Sequence, residues 1–181
     1  MSESISHHLV YGTLKDFLTG EDLPDTDDER IRQQISRLMV EERGYFRQEL
    51  EPRCFIETCF NNCFVRSVID LTVCLENRQV MIIRYGAGSL VSRERAALAA
   101  ARLLNRDYRI PLAVVTNGEN SLLLDTVTAS VTGEGMSSLP DRQTMINMMP
   151  SLLFLPPQEK EKRERERRIL NTFDLDRCCR S

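Results

Sequence analysis

The 181-residue chain lacks a strong excess of charge, a long apolar run and a phosphate-binding loop. Its formal net charge is -3. That leaves no global electrostatic footprint for nucleic acid or for an anionic membrane, so any such binding would have to use a local patch. No apolar run is long enough to cross a bilayer, and MSESISHHLVYG holds neither a basic leader nor an apolar signal core, so a cytoplasmic protein is expected. The glycines of GAGS at residues 86–89 are not followed by Gly-Lys-Ser/Thr, and a three-residue G-x-G is too weak to define a dinucleotide site.

The six cysteines lack the spacing of a zinc knuckle. Cys54, Cys59 and Cys63 fall as C-x4-C-x3-C, with Cys74 beyond. Two readings stand: a thiolate cluster holding zinc or iron–sulfur, or structural thiols buried in a strand and turn, CFIETCF then NNC. A reducing compartment favours thiols over disulfides throughout. His7 and His8 are either a metal-capturing pair or part of a solvated tail, and Cys178 and Cys179 are either reactive or simply exposed.

What is present suits one domain with appendages. The stretch VRSVIDLTVCLENRQVMIIRYG, residues 65–86, reads as two buried strands joined by a tight turn at Glu76, Asn77 and Arg78. Asp70 stands among Val68, Ile69, Leu71 and Val73, where an ionised carboxylate is costly unless a cation, donors or a metal meet it. It is either half of a metal site or a strand-end acid that faces solvent or pairs with Arg66.

Around this hairpin the pattern predicts a lead-in over residues 1–24, a core over 25–135 and a helical appendage over 136–181. Tyr11, Leu14, Phe17 and Leu18 recur at helical spacing and predict a short docking helix in the lead-in. Thr26 and Glu29 form a capping-box pair, followed by the stripe Ile31, Ile35, Leu38 and Met39 and a stop at Gly44. Glu29 and Arg32 sit on the first turn of that helix, near the sheet.

Ser92 is the expected N-cap of a helix packed through Ala96, Ala99, Ala100 and Leu103. Strands follow over residues 112–115 and 122–127, with a turn at Asn117 and Gly118. A Met-rich helix is expected over 141–149. In EKEKRERERRIL acids nearly balance bases, so a solvated or partner-facing helix is expected over a nucleic-acid arm. The order helix, three strands, helix, strand, strand argues for an α/β fold, a mixed sheet flanked by helices.

The ordered series DTDDERIRQ, GY, ELEP, Asp70 in a strand, the hairpin to RYG, and VVTNG resembles the N-terminal domain of type I restriction enzyme R subunits. That family belongs to the PD-(D/E)xK nuclease superfamily, and its pattern runs T-x-E-E-x-x-R-Q, G-Y, an Asp-bearing strand, E-x-K and T-N-G. The resemblance covers residues 25–126. It implies a restriction-endonuclease-like fold in which Asp70, with Glu29 at an acidic position of the first helix, would hold Mg²⁺ if activity is retained.

The E-x-K element departs from the pattern. With Tyr85 as its middle residue, Arg84 replaces the Glu and Gly86 the Lys; with Ile83, Ile82 replaces the Glu and Arg84 the Lys. Either register loses the second carboxylate, and arginine is unfit as a proton acceptor near neutral pH. Asp70 and Arg84 are therefore expected as catalytic remnants that pair with each other in place of the metal. The resemblance then implies a degenerate domain that binds DNA or a protein partner, with Arg32 and Arg66 as contact residues and no resident cofactor.

The alternatives are an active endonuclease whose acid has migrated to Glu49, Glu51 or Glu57, and a cysteine-ligated metalloprotein. The family's helicase motor is not encoded in these residues. Oligomeric state is left open.

Overall fold

The computed structural model describes residues 9–60 and 63–178, with backbone alone at 60, 63 and 175–178. His7, His8, the NN turn at residues 61 and 62, Cys179 and the side chains of Cys63 and Cys178 lie outside the described residues.

Among the described residues the first elements are β1 (Thr13–Lys15) and β2 (Asp22–Pro24), an antiparallel ribbon with Leu14 opposite Leu23. This corrects the helix expected from the spacing of Tyr11, Leu14, Phe17 and Leu18. Asp16 Oδ1 accepts the N–H groups of Leu18 and Thr19 at 2.8 and 2.7 Å, and Gly20 takes φ +77°. These local bonds make a turn in a segment too short to nucleate a helix.

Thr26 caps α1 (Asp27–Arg37), its hydroxyl accepting the Glu29 N–H at 3.1 Å, and the acidic first turn complements the helix dipole. The helix continues as a π-turn, Leu38–Glu42, and stops before Gly44 at φ +72°.

Next come β3 (Leu50–Phe60), β4 (Cys63–Leu75) and β5 (Arg78–Tyr85). Glu76 and Asn77, at φ 50° and 61°, form the two-residue turn between β4 and β5. Pro52 is tolerated because β3 is an edge strand. The chain then crosses through α2 (Glu94–Leu104) to β6 (Leu112–Thr116), which lies parallel to β5. A short 3₁₀ turn, Val91–Arg93, leads into α2, and the Ser92 hydroxyl donates to the Ser89 carbonyl, so Ser92 is not the N-cap.

Two antiparallel strands complete a six-stranded mixed sheet of order β3-β4-β5-β6-β7-β8: β7 (Ser121–Asp125) and β8 (Ser130–Glu134). The strand expected to reach residue 127 ends at Asp125, whose carboxylate accepts the N–H groups of Val127 and Thr128 and so begins a turn. β8 has no buried residue and hence no apolar alternation to reveal it.

The C-terminal helices are α3 (Arg142–Met148), capped by Asp141, and α4 (Lys160–Cys178). Among the described residues no helix is long and apolar enough to cross a membrane.

The central strands are buried on both faces. Leu71, Val73, Met81, Ile83, Leu112 and Val114 join Ile35, Met39 and Met145 on the α1 and α3 side. Ile69, Ile82, Ala113 and Val115 join the alanine-rich face of α2 and Leu170 of α4 on the other. α4 is exposed along most of its charged segment, as expected, but it is also tied to the core. Leu170 is fully buried, Glu166 accepts from Arg102 at 2.7 Å, and the Thr58 hydroxyl donates to Asn171 at 2.6 Å.

Candidate functional site

The last pair of the β4–β5 ladder is Leu71 with Ile83. Just beyond it the strands part, and Asp70 and Arg84 stand on the two sides of the fork. Ile69 and Leu71 belong to different core clusters although two residues apart, so β4 turns over at Asp70. The twist sends the Asp70 carboxylate toward α1, whereas Arg84, between Ile83 and Tyr85, faces α2 and α4.

The expected Asp70–Arg84 contact is accordingly not made. Asp70 Oδ1 accepts from Arg32 Nε at 2.5 Å, and Oδ2 accepts the Tyr85 backbone N–H at 2.6 Å. Burial works against the Arg32 charge, but the attraction and hydrogen bond of Asp70, with help from Glu29 and Asp28, outweigh it and raise the Arg32 pKa. The buried acid is thus met by a cation from α1 and an N–H from the parting strand. Neither Arg66 nor solvent fills that role; the Arg66 guanidinium lies 3.6 Å from the centroid of the Phe55 ring.

Arg32 also reaches Glu29 Oε2 at 3.4 Å, while Glu29 Oε1 accepts from Gln33 Nε2 at 2.8 Å. The reciprocal half of the expected capping box is absent because this carboxylate is turned into the site. Gln33 extends the chain of contacts to Asp16 Oδ2 at 3.1 Å, and its Oε1 accepts the Phe17 N–H at 2.6 Å. Asp16, almost fully buried, also accepts from Arg53. Burial would raise its pKa, yet the Arg53, Thr19 and Gln33 hydrogen bonds prevail and bring it down to about 2.

Arg53 is held at φ 56°, a strained backbone for a non-glycine residue, between the ladder pairs Pro52–Leu71 and Cys54–Ile69. Arg32 and Gln33 therefore link three carboxylates, Asp70, Glu29 and Asp16, and Arg53 joins Asp16 to a fourth, Glu21, at 3.1 Å. Of these residues Asp16, Glu21, Gln33 and Arg53 escaped the sequence reading. Gln33 had a signal, since it closes the run TDDERIRQ.

On the other side of the fork, Arg84 Nη2 donates to both oxygens of Asp174 on α4, at 2.9 and 3.1 Å. If Tyr85 is the middle of the E-x-K element, Gly86 stands where the lysine would be. A Cβ built at Gly86 would lie 2.5 Å from Cζ and Nη1 of Arg93, so that guanidinium occupies the missing side chain's space.

The remaining candidates lie apart from this network. Glu49 is engaged by Arg142 at 2.7–3.0 Å and Glu51 by Gln79 at 3.1 Å; Glu57 is exposed opposite Arg66. Cys59 is exposed rather than buried, while Cys54 and Cys74 are half-buried. Burial pushes both of the latter thiols up, with the Glu51 carboxylate adding to the rise, and Cys74 reaches about 12. Such thiols are poor thiolate ligands.

The donor set does not fit the Mg²⁺ that the resemblance implies. A hard divalent ion needs several available oxygens. Both Asp70 oxygens and both Glu29 oxygens already accept from Arg32, Gln33 or the Tyr85 N–H, and Asp16 is committed to Arg53. Among the described residues no group of three His, Cys, Asp or Glu side chains is placed to hold a metal ion.

A six-stranded mixed sheet flanked by helices, with a buried acid at the fork of two central strands, defines a domain of the mixed α/β class. The family model described as Type I restriction enzyme R protein N terminus matches residues 27–140. The chain belongs to that family. No curated protein and no solved structure matches it.

Proposed function

We propose that this domain binds rather than cleaves: a catalytically degenerate R-protein N-terminal domain that acts as a module for DNA or for a companion protein. The observation that carries this reading is the state of Asp70, whose two oxygens are taken by Arg32 Nε and the Tyr85 N–H. A guanidinium stands where a divalent ion would have to approach, and like charges repel. Arg84 on the neighbouring strand supplies a further cation instead of a second acid. Exposed Phe55 and Phe64 on the β3–β4 hairpin add an apolar surface of the kind that protein partners cover.

The alternative, an active Mg²⁺-dependent endonuclease whose acid has migrated to Glu49, Glu51 or Glu57, is opposed by the same geometry, since Glu49 is held by Arg142 and Glu51 by Gln79, apart from the Asp70 network. One experiment separates the two: incubation of plasmid and single-stranded DNA with the wild type and with Asp70→Asn in Mg²⁺ and Mn²⁺. The proposed reading expects intact DNA with both proteins. Cleavage by the wild type that disappears in Asp70→Asn refutes it. DNA binding that weakens steeply with salt assigns DNA as partner, and salt-independent co-purification of a protein assigns a companion chain.

A further inference from the structure

Arg84 is 8% exposed, and besides its bonds to Asp174 its Nη1 lies 3.5 Å from the Ala96 carbonyl. Arg93, anchored by Nη2 to the Ala87 carbonyl at 3.0 Å, lays its guanidinium over Gly86. The two arginines border one cavity of about 20 Å³, closed by Tyr85, Ala96, Phe173 and Asp174. That volume is room for about one water molecule. Among the described residues, Asp174 is the one carboxylate that lines it.

We propose that this cavity is a binding site for a backbone phosphate of nucleic acid, held shut by the chain itself, with the Asp174 carboxylate of α4 standing in for the phosphate. The inference rests on the reading of the domain as a binding module. Guanidinium groups take carboxylates and phosphates through the same paired N–H···O⁻ contacts, so one anion exchanges for the other without rebuilding the site. Arg84 and Arg93 come from different elements, β5 and the turn before α2, and converge on one small polar space. A phosphate cannot enter while Asp174 is seated.

The fastening of α4 makes release local. Glu166, Leu170 and Asn171 hold the middle of the helix against Arg102, the core and Thr58. Asp174 lies one turn further on, four residues before the helix ends at Cys178, and loosening this C-terminal end uncovers Arg84. Terminal turns are where helices open most easily.

The test uses the full chain and a fluorescein-labelled 12-bp duplex, read by anisotropy at low salt. Asp174→Asn keeps the shape of the plug and removes its charge; it is expected to bind at least about tenfold more tightly than the wild type. Its salt dependence should steepen by about 0.9 in log K per log salt for each phosphate engaged. Adding Arg93→Ala to Asp174→Asn removes the gain. Because Asp174→Asn leaves Arg84 without its counter-charge and could impair folding, Glu166→Gln provides a second route: it loosens α4 at Arg102 without touching the cavity, and should give a smaller gain in the same direction.

Inorganic phosphate that displaces the duplex supports a phosphate-sized site. Arg93-dependent binding of inorganic phosphate with no gain for the duplex overturns nucleic acid as the source of the anion. No gain in either variant, with helical circular dichroism unchanged, overturns the proposal, as does a gain that survives Arg93→Ala. Plasmid cleavage would refute the non-cleaving reading by a separate measurement, so the two failures are distinguishable.

Discussion

Truncation of Asp70 tests the account of the fork most directly. The Asp70 side chain is 5% exposed and that of its partner Arg32 21% exposed. Asp70→Ala leaves a largely buried guanidinium with Glu29, at 3.4 Å, as its remaining ion-pair partner, and takes away the acceptor of the Tyr85 N–H. Breaking a buried ion pair from one side costs about 3–5 kcal/mol, a range that absorbs the orphaned N–H of about 1–3 kcal/mol.

With a urea m-value of about 2 kcal/mol/M, the unfolding midpoint should fall by roughly 1.5–2.5 M at constant m. Asp70→Asn keeps an acceptor for the N–H and should lose about half as much. The double variant Arg32→Met/Asp70→Leu removes both charges and should return to within about 1 kcal/mol of the wild type, since buried ion pairs contribute little beyond a well-packed apolar pair. A loss below about 1 kcal/mol in Asp70→Ala, at unchanged m, would refute the assignment of Asp70 as a buried, arginine-paired acid.

Other tests reach different parts of the molecule. The folded-state pKa of Asp16 lies near 2, below its ordinary 3.8, so its contribution of roughly 2 kcal/mol is fully present above about pH 5 and is lost as pH falls through 3.8 toward 2. Urea titrations of wild type and Asp16→Asn should therefore differ at neutral pH and converge near pH 2, and a pH-independent difference would contradict the pairing with Arg53. Gly118 holds φ +93°, and a Cβ there would meet Ile31 Cγ2 at 2.9 Å, so Gly118→Ala should lower stability by about 1–3 kcal/mol in thermal or urea unfolding. Among the described cysteines, iodoacetamide at pH 8 should alkylate exposed Cys59 first and spare Cys74, whose thiol is pushed up to about 12; peptide mass spectrometry reads the order.

Much of the central architecture was legible because local pattern and tertiary burial agree. The Thr26 cap, the Ile31 and Ile35 stripe, the hairpin around Glu76 and Asn77 and the small-residue face of α2 all appear where periodicity places them. Asp70 stood out as an acid in an apolar strand, and it is indeed buried. Its partner was misjudged because strand alternation presumes a regular ladder. Asp70 and Arg84 would be neighbours on a flat sheet, and the reversal of β4 between Ile69 and Leu71 separates them.

The anchoring of α4 on the core was hidden for another reason. The residues it buries besides Leu170 include Glu166, Asn171 and Asp174, which score as solvent-facing, and the groups that satisfy them lie 64 to 113 positions away in sequence. The β1–β2 ribbon was hidden by apolar spacing that fits a helix, while the Asp16 side chain decided for a turn.

The segment that carries the family pattern is not electrically self-sufficient. Residues 27–140 include Arg53 and Arg84, while Asp16 and Asp174, the carboxylates that accept from them within the core, lie before and after it. Cut at those limits, the fragment would expose the α2 face that Leu170 covers and carry two cations stripped of their neutralising acids. The unit that folds is therefore wider than the unit that sequence likeness outlines, and its outer limits are set by counter-ions rather than by motif.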